Sequence, residues 1–565
     1  MRRNFERYFS LAILSAIFAC IVFVYYPASM DRNYQGEDYL LISQVLKVGP
    51  AKALLLSWKD HFIPLYRITM GGLHILFGNA IPIRVLILAF HLANTALVFY
   101  IVRRGARSTI LAAVGAATFG LSRQASIEIL HPINGTWVMS LFFVLLMSIF
   151  LDKFVASRSR GLDGPSGAAA SQDDASSEIG DNSAKQALNE DEDEDGKIPA
   201  SPSTRFLTDI TLQPSTWNMK YYYAALAAFV AGLGMFTIAL VGGTLIWAFM
   251  YARMMRVGEF RRSMKLQAKV VLPFVFVIAA YLLMRSHFIE ASRPFTDSMT
   301  LQVLNRPSVS LEQIMSAIGN LPMEFYATAA GRAMPYFQEH GFVALVILGL
   351  LLIKEFVYRK REAGIASMWL IFSFVTFAVP VFARMFFVLR AGGDIQNVLF
   401  PWYFYLPMTG IAIALGLLLK PPPVIEDALS KRPVPAFAIL LATAITVLTL
   451  LNIENAKEVR ALTPGLVEEN RRFNELLLQY RGSMESFLGG PGYTPEREYF
   501  FKDTVSAGMG EFPLSWFVMH HDVFYLYFSD TKNIRFINGW KYYGDLHFWH
   551  PEGTVKRRWH GGMGL

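Results

Sequence analysis

Apolar residues in this chain gather in long runs, at 8–26, 81–102, 108–122, 135–152, 221–236, 238–252, 268–284, 341–357, 365–383, 398–419 and 434–452. A helix needs roughly 20 mostly apolar residues to cross a bilayer, so the pattern predicts a polytopic all-α membrane protein with about eleven spans. The first run, YFSLAILSAIFACIVFVYY, exceeds a signal peptide's apolar region and lacks a small-residue cleavage site, so it is expected to be a retained helix. Between 221–236 and 238–252, Gly232, Gly234, Gly242 and Gly243 mark either a turn or close helix packing.

Four stretches depart from this pattern. Residues 38–57 (DYLLISQVLKVGPAKALLLS) put Leu41, Val45 and Val48 on one helical stripe and break at Gly49-Pro50. Two short amphipathic helices lying along the interface fit that pattern better than a span. Residues 58–78 (WKDHFIPLYRITMGGLHILFG) are apolar but carry Lys59, Asp60, His61, Arg67 and His74. Such residues are costly in hydrocarbon, so the segment is expected to lie at the surface and re-enter against protein. Residues 156–216 are polar and acidic with no aromatic anchor before Phe206, too little apolar area to offset chain entropy, which predicts a disordered spacer. Beyond 452, a charged helix over roughly 464–488 and strand-like pieces between Gly, Pro and Asp predict a small α+β module. Its Trp516, Trp540, Trp549 and Trp559 suit core packing better than sugar stacking. Its histidines (His520, His521, His547, His550 and His560) lack a third placed ligand for a metal site. The expected organisation is a membrane module at 1–152 with an external loop at 27–80, the acidic loop at 153–220, further spans at 221–452, and the module at 453–565.

Composition agrees: of 565 residues, 53% are hydrophobic and only 17% charged. A net charge of +8 would suggest nucleic acid in a soluble protein, but its distribution here follows topology, and no nucleic-acid partner is expected. With the N-terminal MRRNFER in the cytoplasm, the clusters at 103–107, 252–265 and 358–362, with Lys420, Lys431 and Arg432, all fall inside. That orientation, in a plasma or inner membrane, sends 27–80, 285–340, 384–397 and 453–565 outside. Cys20 is the only cysteine, which excludes an internal disulfide, a thiolate zinc site and a Cys–His nucleophile.

Chemistry concentrates in DRNYQGEDYLLI at 31–42, where Asp31, Glu37 and Asp38 follow the first span on the external side. One carboxylate at such a boundary can act as a general base toward an acceptor hydroxyl while a neighbour holds the acceptor or a divalent cation. Adjacent acids also raise each other's proton affinity. On spacing alone, Glu37 and Asp38 serve equally well as negative charge at the start of the next helix.

The order of motifs resembles the GT-C membrane glycosyltransferases, specifically bacterial relatives of the protein O-mannosyltransferase and TMTC families. The matching residues are Glu37-Asp38, His61 to Arg67, Leu76-Phe77-Gly78 and the basic helix end Arg103-Arg104. Further on, LHPINGTWVMSLFFVLLMSIFL at 130–151, VLPFVFVIAAYLLMRS at 271–286 and FPWYFYLP at 400–407 look like the family's HP, PF…YLLLR and RYLYLP segments. The likeness covers about residues 8–420 and is best over 31–152.

The resemblance implies a polyprenyl-phosphate-linked sugar as donor, a glycan, lipid or protein acceptor, and transfer on the external face. The first carboxylate of the pair serves as base in those families, a role that maps onto Glu37, with Asp38 as joint candidate and Asp31 in reserve. His61, Arg67, Arg384 and Arg390 are the candidates for the donor phosphate, since guanidinium groups grip phosphate oxygens in pairs. No cofactor is required; a divalent cation is compatible with the acidic pair. Two departures stand out: Phe236-Thr237-Ile238-Ala239 replaces a Lys-Glu common in the family, and Asn134 to Thr136 lack the acid that follows the HP motif. The competing readings are a lipid-linked glycan transporter or flippase, and a catalytically silent assembly protein.

Overall fold

The computed structural model describes residues 2–34, 36–56, 61–122, 131–159, 217–289, 341–358, 360–383 and 401–421, with parts of 125–129 and of the chain beyond 445. Every expected apolar run coincides with a helix except 434–452, most of which lies outside the described residues. In chain order the helices are α1 (Arg2–Ser29), α2 (Gly36–Val48), α3 (Pro50–Ala53), α4 (Pro64–Phe77), α5 (Ile81–Ala106), α6 (Thr109–Gly120) and α7 (Gly135–Ser159). There follow α8 (Met219–Met235), α9 (Ile238–Met255), α10 (Gly258–Arg262), α11 (Met264–Ile289), α12 (Gly341–Tyr358), α13 (Lys360–Ala383) and α14 (Tyr405–Leu418). Among the described residues, α1, α5, α7, α9, α11 and α13 are long and apolar enough to cross a membrane, and α6 and α14 are shorter apolar helices. The chain is an integral membrane protein.

Small residues let these helices approach closely, which matters because lipid offers no hydrophobic drive for helices to associate. The glycines of 221–252 do this work: Gly242 faces the ring of Phe372 on α13, and Gly243 that of Phe229 on α8. The break between α8 and α9 falls instead at Phe236, whose backbone is extended. The tightest crossing is that of α14 on α13, where a Cβ on Gly410 would run into the Trp369 carbonyl and Ser373 Oγ.

The segment between α1 and α5, expected to be external, forms helices of 13, 4 and 14 residues, α2 to α4, all too short to span. Leu41 and Val45, two of the three stripe residues, are buried with Ile42, and Val45 packs on Gly71 of α4. The second amphipathic helix expected after Gly49-Pro50 is only the single turn α3. Ile75, Leu76 and Phe77 at the end of α4 stay exposed, as suits a helix at an apolar–water boundary.

At the other end of the bundle, Asp152 of α7 receives Arg104 of α5 at 2.7 Å and Arg253 of α9 at 3.4 Å. Helix α5, 26 residues long, is about 39 Å from end to end and so separates this cluster from α2 to α4. Helix α7 continues to Ser159, past the expected boundary at 152. Trp217 then packs against Phe154 at 5.1 Å and Phe260 at 5.5 Å, which brings the two ends of the acidic loop together. Residues 160–216, expected to be disordered, lie outside the described residues.

The described residues between 453 and 488 are helical, and Arg460 sits 3.9 Å from the Phe23 ring of α1. Beyond them, Tyr499–Lys502 pairs in parallel with Ile534–Ile537 beside a small apolar cluster around Met484 and Ile534. The side chains of the four C-terminal tryptophans and five histidines singled out above lie outside the described residues.

These contacts set one expectation. Gly410→Ala overpacks the α13–α14 crossing and should cost about 1–3 kcal/mol. Gly364→Ala, on α13 with nothing within 4 Å of its added Cβ, should be neutral or stabilise by up to about 1 kcal/mol. Thermal melts of the two variants in detergent check the contrast.

Candidate functional site

The chain leaves α1 at Ser29 and is pinned at once to the start of α5. Arg84, in the first turn of α5, has no exposure, and its Nη1 lies 3.2 Å from Asp31 Oδ2 while also donating to the Asp31 carbonyl. The other Asp31 oxygen accepts from the backbone and side-chain nitrogens of Asn33, each at 3.0 Å. Tyr34 donates to the Asn79 carbonyl at 2.7 Å and meets His74 Nδ1 at 3.2 Å. A charge buried in this way is tolerable only if paired and hydrogen-bonded, and Arg84 is both.

Asp38 lies in the first turn of α2 and is fully buried. Its Oδ1 accepts the Ile133 N–H at 2.8 Å, which joins α2 to the 3-10 turn Pro132–Asn134 that carries the HP motif. Tyr66 of α4 donates to the Pro132 carbonyl of the same turn. The turn therefore collects α2, α4 and the start of α7 around one point.

Two further titratable groups sit here. Glu128 has no exposure, and neither carboxyl oxygen has a hydrogen-bond partner. Burial pushes its carboxyl well above the usual carboxylate range, so it stays protonated at neutral pH. His131 is buried with Nε2 unpartnered; burial, reinforced by the positive charge of Arg84, holds it down to about 3. The cluster thus combines a charged Arg84–Asp31 pair with a neutral acid and a neutral imidazole. Among the described residues no group of three or more His, Cys, Asp or Glu is placed to hold a metal ion.

The other expected site residues fall as follows. Glu37 is the second residue of α2, beside Asp38. His61 is half-buried, its ring 4.7 Å from that of Phe236, which in turn lies 4.7 Å from Trp137. Phe236 stands where the resemblance expects Lys-Glu, so an aromatic wall fills that place. Arg67 has no exposure; its Nη1 donates to the carbonyls of Ala53, at 2.9 Å, and Leu56 at the end of α3. Its Nε and Nη2, the edge that grips two oxygens at once, have no partner among the described residues. Burial lowers its guanidinium to about 10. Arg384 and Arg390 lie outside the described residues.

His91 is fully buried with both ring nitrogens used: Nε2 donates to the Gly120 carbonyl at 2.9 Å, which leaves Nδ1 to accept from Tyr405 at 2.9 Å. It is a joint between α5, α6 and α14. Arg84, Glu128 and His131 were not among the residues singled out from sequence. For Arg84 a signal was available, because an arginine in the first turn of a long, mostly apolar helix implies a buried acidic partner. For Glu128 the signal was proximity to the HP motif on its other side, three residues before His131.

No family model and no curated protein matches the chain. Among solved structures it is similar to ArnT from Cupriavidus metallidurans bound to undecaprenyl phosphate, with 14% identity over 94% of this chain and 86% of that one and a TM-score of 0.43. The apo state of the same protein gives 14% identity, 93% and 86% coverage, and a TM-score of 0.42.

Two expectations follow from the geometry. Removing one partner of a buried pair strands the other, so Arg84→Met and Asp31→Leu should each cost about 3–5 kcal/mol, and the double variant much less than their sum. A double-mutant cycle by thermal or denaturant unfolding measures this. The pH dependences of Glu128 and His131 have opposite signs. Glu128 is raised in the fold, so the native state holds its proton while the unfolded chain loses it above about pH 4.3, and stability falls as pH rises. His131 is depressed, so the unfolded chain binds a proton below about pH 6.5 that the native state refuses, and stability falls as pH drops toward 3. Relative to wild type, Glu128→Gln should therefore gain stability progressively above pH ~4.3, and His131→Asn below ~6.5, each with a slope of about 1.4 kcal/mol per pH unit. Unfolding midpoints from pH 4 to 8 test both signs.

Proposed function

We propose that this chain is a GT-C-type membrane glycosyltransferase that moves a sugar from a polyprenyl phosphate to an acceptor hydroxyl on the face where Asp38 lies. The observation that carries the reading is Asp38 itself: a carboxylate with no exposure, fixed by the Ile133 N–H and lying in the field of Arg84. The ordered motifs around it supply the family resemblance.

In this reading the Asp38 carboxylate takes the proton of the acceptor hydroxyl, and the oxygen attacks C1 of the sugar. The C1–O bond to phosphate breaks with its electron pair, and polyprenyl phosphate leaves as an anion that needs no acid to protonate it. One base suffices for an inverting transfer. Glu37, the adjacent residue, is the alternative base, and Asp31 is assigned to holding Arg84. Arg67, through its Nε–Nη2 edge, and His61 are the described candidates for the donor phosphate; Arg384 and Arg390 complete the set. Because Asp38 is sealed in this state, the acceptor reaches it only when α2 moves against the 132–134 turn or its cover lifts. Asn474, whose Oδ1 accepts from the neighbouring Tyr39 at 3.2 Å, is the described candidate for that cover.

The sealing of Asp38, and the aromatic wall of His61, Phe236 and Trp137, support a second reading as a catalytically silent membrane assembly protein. One assay separates the two. Purified full-length protein in lipid nanodiscs is given a panel of polyprenyl-phosphate sugars, and acceptor-dependent transfer is measured. Asp38→Asn should lower kcat/KM by about 100-fold or more, and Glu37→Gln by less. An active wild type matched by Asp38→Asn moves the base elsewhere. A wild type that retains the lipid yet transfers nothing from any donor leaves the silent or lipid-transporting role.

A further inference from the structure

We infer that the end of the bundle opposite the site carries a binding groove for one anionic phospholipid, formed by Lys265 and Lys269 of α11 with Tyr223 of α8. The groove is shallow, with a volume of about 350 Å³, and Ala268, Leu272 and Pro273 complete its lining. The two lysines, one helical turn apart, are exposed, and neither has a hydrogen-bond or ion-pair partner among the described residues. Spare cations beside an apolar lining match a phosphate headgroup with the first carbons of its chains.

Three observations choose lipid as the occupant. First, the groove opens onto the bilayer: only 17% of the α11 span is buried, the smallest share among the six spans, and Leu272, Val275 and Phe276 continue its apolar face outward. Second, it lies at headgroup depth. Gln267 donates to the Phe260 carbonyl at 3.1 Å and accepts from Tyr251 at 3.4 Å, which ties the start of α11 to the α9–α10 turn at the Asp152 end of the bundle. Third, the surrounding surface is basic, with Arg256, Arg261 and Arg262 exposed on the adjoining turn. Basic pockets between helices at a membrane surface select anionic headgroups through this combination. The inference does not rest on glycosyl transfer.

The test is native mass spectrometry of the full chain, titrated separately with phosphatidylglycerol and phosphatidylethanolamine of the same acyl chains. At roughly fivefold per lysine, wild type should favour the first lipid by about 25-fold. Lys265→Gln with Lys269→Gln should abolish that preference, Lys265→Arg with Lys269→Arg should keep it, and Arg261→Gln with Arg262→Gln, off the groove, should leave most of it. Ala268→Trp fills the groove with both charges intact and should also lose the bound lipid, which covers the case of a glutamine variant that fails to fold. Equal affinity of wild type for both lipids overturns the proposal, as does an undiminished preference in the glutamine pair. Neutralising Glu190 to Asp195 should change nothing; if phosphatidylglycerol binding rises instead, the acidic tract of this chain is the occupant, and the lipid proposal fails.

Discussion

A guanidinium with no access to water, set in the first turn of an apolar helix, must find its counter-charge inside the protein. Arg84 finds it in Asp31, just past the end of α1. That one pair fixes where the chain goes between two spans. It holds residues 31–34 against the start of α5, which in turn sets where α2 begins and where Asp38 can reach. The desolvation cost of the pair is large and its net contribution to stability small. Its main effect is positional: few other arrangements of the external segment satisfy both charges.

Against this anchored pair, the remaining polar groups divide by charge state. Glu128 and His131 are pressed toward neutrality by burial, and the field of Arg84 opposes a second positive charge on His131. Burial thus favours the neutral form of both groups beside the charged pair. The opposite end of the bundle has a different chemistry. There Asp152 accepts two arginines in a part-exposed setting, and the neighbouring cations face water.

The apolar helices were legible because bilayer thickness writes itself into the chain as long apolar runs, and α1, α5 to α9 and α11 to α14 fall where those runs predict. The acids at 31–38 were legible as charges beside grease. Their individual roles were not, because the groups that decide them are distant in sequence: Arg84 lies 53 residues from Asp31, and Ile133 lies 95 from Asp38. The same limit hid the consequence of Phe236. Absence of a Lys-Glu pair could be noticed in the sequence, but its replacement by a wall of His61, Phe236 and Trp137 exists only in three dimensions. Arg67 showed the converse, since a cation singled out for an anionic ligand turns one edge inward to hold the carbonyls of Ala53 and Leu56.

Trp217, clasped between Phe154 and Phe260, has a consequence for how this chain can change over evolutionary time. Once the two ends of a connection are brought together by contacts of their own, its length costs little: each doubling adds only about 0.6 kcal/mol of closure entropy. Residues 160–216 can therefore be lengthened, shortened or rewritten with little effect on the helices they join. The aromatic clasp makes that stretch a place for sequence novelty in a protein whose helices are fixed by their packing on one another.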